Sequence, residues 1–249
     1  MKDKVIMITG ATSGLGAATA KALAGLGARI VFCGRRKKEG EEVEKEIRST
    51  NGEATFIQAD VTDEKQVAQA VNTAIKLYGR LDAAFNNAGG NHYFSPLDAT
   101  SATQFTDSIN VNLTGTFYAL KHEIQAMKAT GGSILNTAST AGVKGVGKGI
   151  AAYVAAKHGV IGLTKAAALE YAGNQVRVNA LVISALATEQ WLAGINRTPG
   201  LLEQIAATMP LGRVSTVEDI VPFIGFLLSD NSKMITGAAL AIDGGISAG

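Results

Sequence analysis

The chain has one cysteine, four prolines and three histidines in 249 residues, and a formal net charge of only +2. A lone Cys33 closes no internal disulfide, so the fold stands on its core and fits a reducing compartment. Without a long block of like charges, nothing argues for a nucleic-acid or membrane-surface partner. No apolar run approaches the length of a membrane span. Met1-Lys2-Asp3-Lys4-Val5 enters an apolar strand at once, without the apolar stretch and cleavage site of a signal peptide. These absences predict a soluble cytoplasmic protein. No His/Cys/carboxylate cluster has metal-ligand spacing, so no metal is expected. His122 and His158 read as helix-surface or packing residues.

What is present is apolar and glycine-rich: 47% hydrophobic residues, 18% charged and 29 glycines. Short β-branched runs read as strands at Val5 to Thr9, Arg29 to Cys33, Ala54 to Gln58, Leu81 to Phe85, Ser133 to Asn136, Val176 to Leu181 and Ala239 to Ile242. Helical patterns lie between them near 14–26, 36–50, 63–78, 102–129, 152–172 and 216–228. This alternation predicts an α/β fold, a doubly wound parallel seven-stranded sheet with helices on both faces. Covered on both faces, its strands should be apolar throughout. No linker or repeat interrupts the pattern, so residues 1–249 are expected to form a single domain. The stretch 184–213 breaks the rhythm and is the candidate for a lid over substrate.

Strand one ends in Thr9-Gly10-Ala11-Thr12-Ser13-Gly14-Leu15-Gly16 and opens an alanine-rich helix. Glycines there let the backbone approach a pyrophosphate, and the helix start offers N–H groups and a positive dipole end. Taken alone, the motif also suits a tight turn without a ligand; its place between strand and helix favours the phosphate reading. After strand two, Gly34 occupies the place where an acidic residue would take ribose hydroxyls. Arg35 and Arg36 follow, which suits a 2′-phosphate and predicts NADP(H) over NAD(H); the bland reading is a solvated helix start. Asp60 and Val61 close strand three, and Asn86-Asn87-Ala88-Gly89 closes strand four, where a bound dinucleotide would run. Asp60 suits the adenine amino group or a helix cap. Asn87 also suits bracing of the strand ends.

Tyr153 and Lys157 stand four residues apart at the start of a helix and share a face. A tyrosine with a pKa of roughly 10 is a poor base at neutral pH. An ammonium group and an oxidised nicotinamide nearby would lower it, as proton transfer to or from a substrate oxygen requires. By spacing alone the pair is unremarkable on a surface helix.

Its company is specific. Thr-Gly-x-x-x-Gly-x-Gly from Thr9 to Gly16, Asn86-Asn87-Ala88-Gly89, Asn112, Ser139, Tyr153-x-x-x-Lys157 and Asp243-Gly244-Gly245 occur in order. The whole chain thereby resembles the short-chain dehydrogenase/reductase family, with its Rossmann fold. The resemblance implies Tyr153 as general acid/base and Lys157 as the group that lowers its pKa and holds the nicotinamide ribose. It implies Ser139 on the substrate oxygen, and Asn112 holding a water that links Lys157 to solvent. The activity implied is hydride transfer between nicotinamide and a ketone or secondary alcohol. A homotetramer or homodimer is implied too, built on helices 102–129 and 152–172, with Phe117, Tyr118, Ala166, Ala167 and Ala168 on the shared faces.

The chain departs from the family pattern after strand six, where Ile183-Ser184 replaces Pro-Gly. Ile183 and Thr188 remain as expected cofactor contacts, and Ser184 as a substrate contact. Trp191 leads an apolar set (Leu192, Ile195, Leu201, Leu202, Ile205, Met209) that suits a lid or plain packing. The glycines at 142, 145, 147 and 149 predict a supple loop on the pocket rim, and His92 is a loop residue within reach of it. Other readings are a 3-oxoacyl-[acyl-carrier-protein] reductase, for which Lys121, Lys128 and Lys165 make a scattered docking patch, and a non-catalytic dinucleotide-binding regulator.

Overall fold

The computed structural model describes residues 1–91, 93–147 and 149–248. The strands are β1 Val5–Thr9, β2 Arg29–Gly34, β3 Glu53–Gln58, β4 Ala83–Asn86, β5 Gly132–Thr137, β6 Val176–Ile183 and β7 Ala239–Ile242. They form one parallel sheet in the order β3-β2-β1-β4-β5-β6-β7. The helices are α1 Gly14–Gly25, α2 Lys37–Ser49, α3 Glu64–Tyr78, α4 Ala102–Ile109, α5 Gly115–Met127, α6 Ala151–Tyr171, α7 Glu189–Ile195, α8 Leu201–Ala207 and α9 Val217–Leu228.

The alternation of side chains along each strand divides the core in two. Ile6 and Ile8 of β1 pack with Leu23 of α1, Ile47 of α2 and Ile224 of α9. Val5 and Met7 pack on the opposite face with Val71 of α3, Leu120 of α5 and Ala167 of α6. Two-sided cover is why β1 is buried at every position. The expectation of burial throughout fails at the sheet edges, where β3 and β7 include exposed positions. An edge strand has a neighbour on one side only, and its cover is incomplete. The strand order reverses between β1 and β4, and beyond their carboxyl ends opens the crevice in which such sheets bind ligands.

The helix expected over 102–129 is two helices. A π turn, Asn110–Thr114, joins α4 to α5. Asn112 Nδ2 donates to Ser108 O at 3.0 Å, and Thr116 Oγ1 donates to Asn112 O at 2.9 Å. Side-chain bonds of this kind accompany a locally widened ladder, a feature common at functional sites.

The expected contact faces are corrected in part. Ala167 and Ala168 are 6% and 2% exposed because they pack on the sheet, whereas Phe117, Ala166 and Leu169 face outward. No described helix is long and apolar enough to cross a membrane. Among the described residues, no group of three or more His, Cys, Asp or Glu side chains gathers to hold a metal.

Candidate active site

The carboxyl end of β1 turns at Gly10, whose φ is +67° and whose absent β-carbon would lie 2.6 Å from Ala88 Cα. Only glycine meets both demands. Asn87 braces this turn: its Nδ2 donates to Thr9 O at 3.3 Å and to Gly10 O at 2.9 Å, and its N–H donates to Thr9 Oγ1 at 3.1 Å. Helix α1 then starts at Ser13 with no side-chain cap on its first N–H groups. An uncapped start above a glycine turn suits an anion.

Gly34 ends β2, and a β-carbon there would lie 2.6 Å from Thr12 Cγ2. No acidic side chain fits that place while Thr12 keeps its position. Arg36 caps α2 and reaches back across the cleft: its Nη2 donates to Thr12 Oγ1 at 3.0 Å and also to Ser13 Oγ. It is therefore more than a solvated helix start. Arg35 is exposed, and its guanidinium forms no ion pair among the described residues. Asp60 Oδ1 accepts from Thr62 N and Thr62 Oγ1, both at 2.9 Å, which makes it a turn-closing residue.

One cleft gathers Gly10, Thr12 and Ser13, then Arg35 and Arg36, then Asp60 and Val61, and finally Asn87, Ala88 and Gly89. Gly34, Ala59, Val111 and Gln190 line it as well. Each of Ala59, Val111 and Gln190 adjoins a residue that the sequence had marked (Asp60, Asn112 and Trp191), and none was itself marked. Three expected contacts stand differently. Leu15 is 5% exposed with its side chain in the core, so only its backbone N–H is open to a ligand. Ile183 packs against the same core. Thr188 Oγ1 accepts from Trp191 N at 3.3 Å and caps α7; its methyl would lie 3.3 Å from a β-carbon on Gly14.

The side chains expected to react stand behind the cleft lining on the neighbouring wall of the site, and Tyr153 lines a separate small cavity with Ser95, Ser108 and Gly149. Ser139, just beyond β5, accepts from Ala141 N at 3.1 Å and is hydrogen-bonded to the Tyr153 hydroxyl. Lys157 lies one turn further along α6, is 2% exposed, and donates from Nζ to Thr137 O at 2.7 Å. Its Nζ stands 5.5 Å from the Tyr153 ring centroid. Gly89 connects this wall to the cleft. A β-carbon there would lie 2.6 Å from Asn112 Oδ1 and 3.4 Å from Lys157 Nζ, so both atoms face one small space. Asn112 is fully buried and grips Gly90, accepting from its N–H at 2.9 Å and donating to its C=O at 3.0 Å. Thr137 and Gly90 are thus parts of the arrangement that sequence reasoning missed; their signal is their place beside Asn136 and in the Asn-Ala-Gly-Gly turn.

Burial dominates the electrostatics. It lowers Lys157 to about 8, since a charged ammonium loses its water there. It raises Tyr153, and the Ser139 hydrogen bond pulls the other way. The expected depression of the tyrosine is therefore not a property of the protein groups alone.

Loops frame the opening. Ser95 N donates to Gly149 O at 2.8 Å and ties the segment after β4 to the segment before α6. His92, expected within reach of the pocket, lies outside the described residues. Ser184 Oγ and Thr137 Oγ1 are buried with no partner among the described residues. Trp191 is half-buried on α7, beside the cleft-lining Gln190.

The profile of a family described as enoyl-(acyl carrier protein) reductase matches residues 10–247. The 2,5-dichloro-2,5-cyclohexadiene-1,4-diol dehydrogenase of Sphingobium indicum is 38% identical over 100% of this chain and 98% of its own. The cyclohexanol dehydrogenase of an Acinetobacter strain is 38% identical over 97% of this chain and 94% of its own. The crystal structure of levodione reductase superposes with a TM-score of 0.95 at 34% identity, covering 100% of this chain and 99% of that one. Solved structures of this fold hold either cofactor, as in ElxO with NADP bound and NAD+-bound xylitol dehydrogenase, each 32% identical. With likeness of this extent over its whole length, the chain belongs to the short-chain dehydrogenase/reductase family and is an NAD(P)-dependent oxidoreductase of alcohol and ketone groups.

Proposed function

We propose that the chain interconverts a ring-borne secondary alcohol and its ketone with NADP(H), and that Tyr153 is the general acid/base. The observation that carries the chemistry is the hydrogen-bonded Ser139–Tyr153 pair beside a buried Lys157 whose Nζ faces Gly89 of the cleft lining. The six-membered ring follows from the cyclohexanol and cyclohexadienediol named for the relatives.

The residues present fit a dinucleotide. The Gly10 turn and the uncapped start of α1 suit its pyrophosphate, and Arg35 and Arg36 suit a 2′-phosphate that Gly34 leaves unopposed. Asp60, Val61, Asn87, Ala88 and Gly89 line its course, with Ile183 and Thr188 at the far end. When bound, the nicotinamide supplies or takes the hydride.

Everything else falls to side chains. Ser139 Oγ holds the substrate oxygen and stabilises charge that develops on it. Tyr153 gives its phenolic proton to a carbonyl oxygen in reduction and takes it back in oxidation. Lys157 is the nearest fixed positive charge to that phenol, and Asn112 and Thr137 hold the surroundings in which it moves. Ser184 and Trp191 contact the substrate, with α7 and α8 as its cover. Outward Phe117 and Leu169, 45% and 83% exposed, are the face on which a second copy packs. A carrier-protein substrate is disfavoured, because Lys121 of the docking patch is committed to Glu64 at 2.7 Å.

A panel of cyclic and open-chain secondary alcohols with NADP+ and NAD+, followed at the nicotinamide absorbance, tests this reading. Cyclohexanol-type substrates with NADP+ should give kcat/KM about tenfold or more above open-chain alcohols, the range one pocket's apolar contacts supply. No turnover with any ring alcohol or ketone overturns it.

A further inference from the structure

Beneath the site lies a chain of buried polar side chains with no part in the proton transfer. Asn86 ends β4, and Asn136 stands beside it on β5 as its paired residue. Asn86 Nδ2 donates to Glu123 Oε2 on α5 at 2.9 Å and to Asn136 Oδ1 at 3.0 Å. Asn136 Nδ2 donates to Thr164 Oγ1 on α6 at 2.9 Å, and Thr164 Oγ1 donates to Val160 O at 2.8 Å. Glu123 and Asn136 are 0% exposed, Thr164 1% and Asn86 3%.

Two oxygens in this chain are left over. Glu123 Oε1 and Asn86 Oδ1 are both buried and have no partner among the described residues. A carboxylate only accepts, as an amide oxygen does, so an ionised Glu123 leaves both unsatisfied. A carboxylic acid carries one O–H. With Oε2 accepting from Asn86 Nδ2, a proton on Oε1 supplies the donor that Asn86 Oδ1 lacks, and the acid and amide close a paired ring.

The Asn86 hydrogen bond favours the ionised form, but burial outweighs it, and no cation pairs with Glu123 among the described residues. Lys121 and His122 of α5 turn to Glu64 of α3, at 2.7 and 3.2 Å. Lys157 of α6 is bonded to Thr137 O. The thiol of Cys33 on β2 feels Glu123, and burial pushes that thiol up to about 12, so it is neutral as well. Burial likewise holds Glu123 up at about 8, against an ordinary 4.5.

We infer that Glu123 is a positioning residue that acts as a neutral acid, closing a Glu123–Asn86–Asn136–Thr164 chain that seats helix α6, with Tyr153 and Lys157, on the ends of β4 and β5. Thr164 lies seven residues beyond Lys157, two turns along the same face. Asn136 directly precedes Thr137, whose carbonyl receives Lys157 Nζ. One chain therefore fixes both the helix that carries the lysine and the strand that holds it.

The neutral acid has a thermodynamic signature. Because its folded pKa is raised, the unfolded chain releases this proton first. Stability then declines from about pH 4.5 to about pH 8 and levels off above that. Glu123→Gln keeps both bonds of the neutral acid and cannot ionise. Whatever offset its second N–H introduces, its melting midpoint relative to the wild type should rise progressively from pH 4.5 towards pH 8. Infrared spectra of the wild type at pH 6 should show a protonated-carboxyl stretch that is missing in Glu123→Gln. A difference between the two midpoints that stays constant with pH across this range, or no such band, means that Glu123 is ionised, and the inference falls.

The positioning role is read in kcat, and this arm alone rests on the proposed function. Glu123→Gln should keep kcat within about twofold, and Thr164→Val should lower it about tenfold with an unchanged KM for the cofactor, as misplaced reacting groups do. A Thr164→Val enzyme with wild-type kcat and a lower melting midpoint would reduce the chain to a structural brace. The melting and infrared arms need no substrate, so they separate failure of this inference from failure of the proposed reaction.

Discussion

The two walls of the site, the cleft lining and the buried group behind Gly89, are built by opposite means. At the ends of β1 and β2 the wall is backbone and missing side chains: Gly10 and Gly34 stand where β-carbons would come within 2.6 Å of neighbours. At the ends of β4 and β5 it is made of buried polar side chains, Lys157 and Asn112 among them, at 2% and 0% exposure. The first wall matches a shape, and steric exclusion is enough for that. The second keeps charge out of water at a cost in stability, which suits the proposed proton transfer, since burial moves pKa values.

Substitutions should therefore damage the two walls differently. Lys157→Met should lower turnover by about 10³-fold, the range of lost acid–base assistance, and leave the melting midpoint near its original value. Steady-state rates beside a thermal scan would check this; equal losses of rate and fold would erase the contrast. Gly10→Ala should do the reverse and cost about 3 kcal/mol in chemical denaturation, from a positive φ and a clash with Ala88. Smaller effects fall at the rim between the walls. Arg35→Ala with Arg36→Ala should weaken NADP+ about tenfold to a hundredfold in equilibrium titration while NAD+ changes little, which reflects lost charge-assisted bonds to one phosphate. Equal weakening of both cofactors would return these arginines to a general role. Trp191→Ala, on the half-buried α7, should raise KM for a ring alcohol about fivefold with kcat nearly unchanged, since it offers only apolar cover.

The same contrast decides what could be read from the residues alone. The wall of missing side chains was legible, because Thr9 to Gly16 sets its glycines between a strand and a helix, the context that favours a phosphate over a plain turn. The sheet was legible from strand–helix rhythm, except at its edges. Reading failed where a side chain's role depends on another element. Asn112 sits in a π turn that an unbroken helical pattern over 102–129 conceals. Leu15 looks like part of the turn, yet its side chain belongs to the core. Gln190 reaches the cleft only because α7 docks there. Glu123, in Lys121-His122-Glu123, carried no signal and is fully buried. Tyr153 was weak by spacing and gained its meaning in the sequence from the ordered company of Ser139, Asn112 and Lys157; their mutual distances belong to the fold.

Tyr153→Phe is the most direct test of the account. It removes one hydroxyl at a site whose packing and cofactor cradle stay in place. The variant should bind NADP+ with nearly wild-type affinity and turn over a ring alcohol at least about 10²-fold more slowly. Normal turnover with that affinity intact would show that the proton passes through another group, and the assignment of the second wall would be wrong.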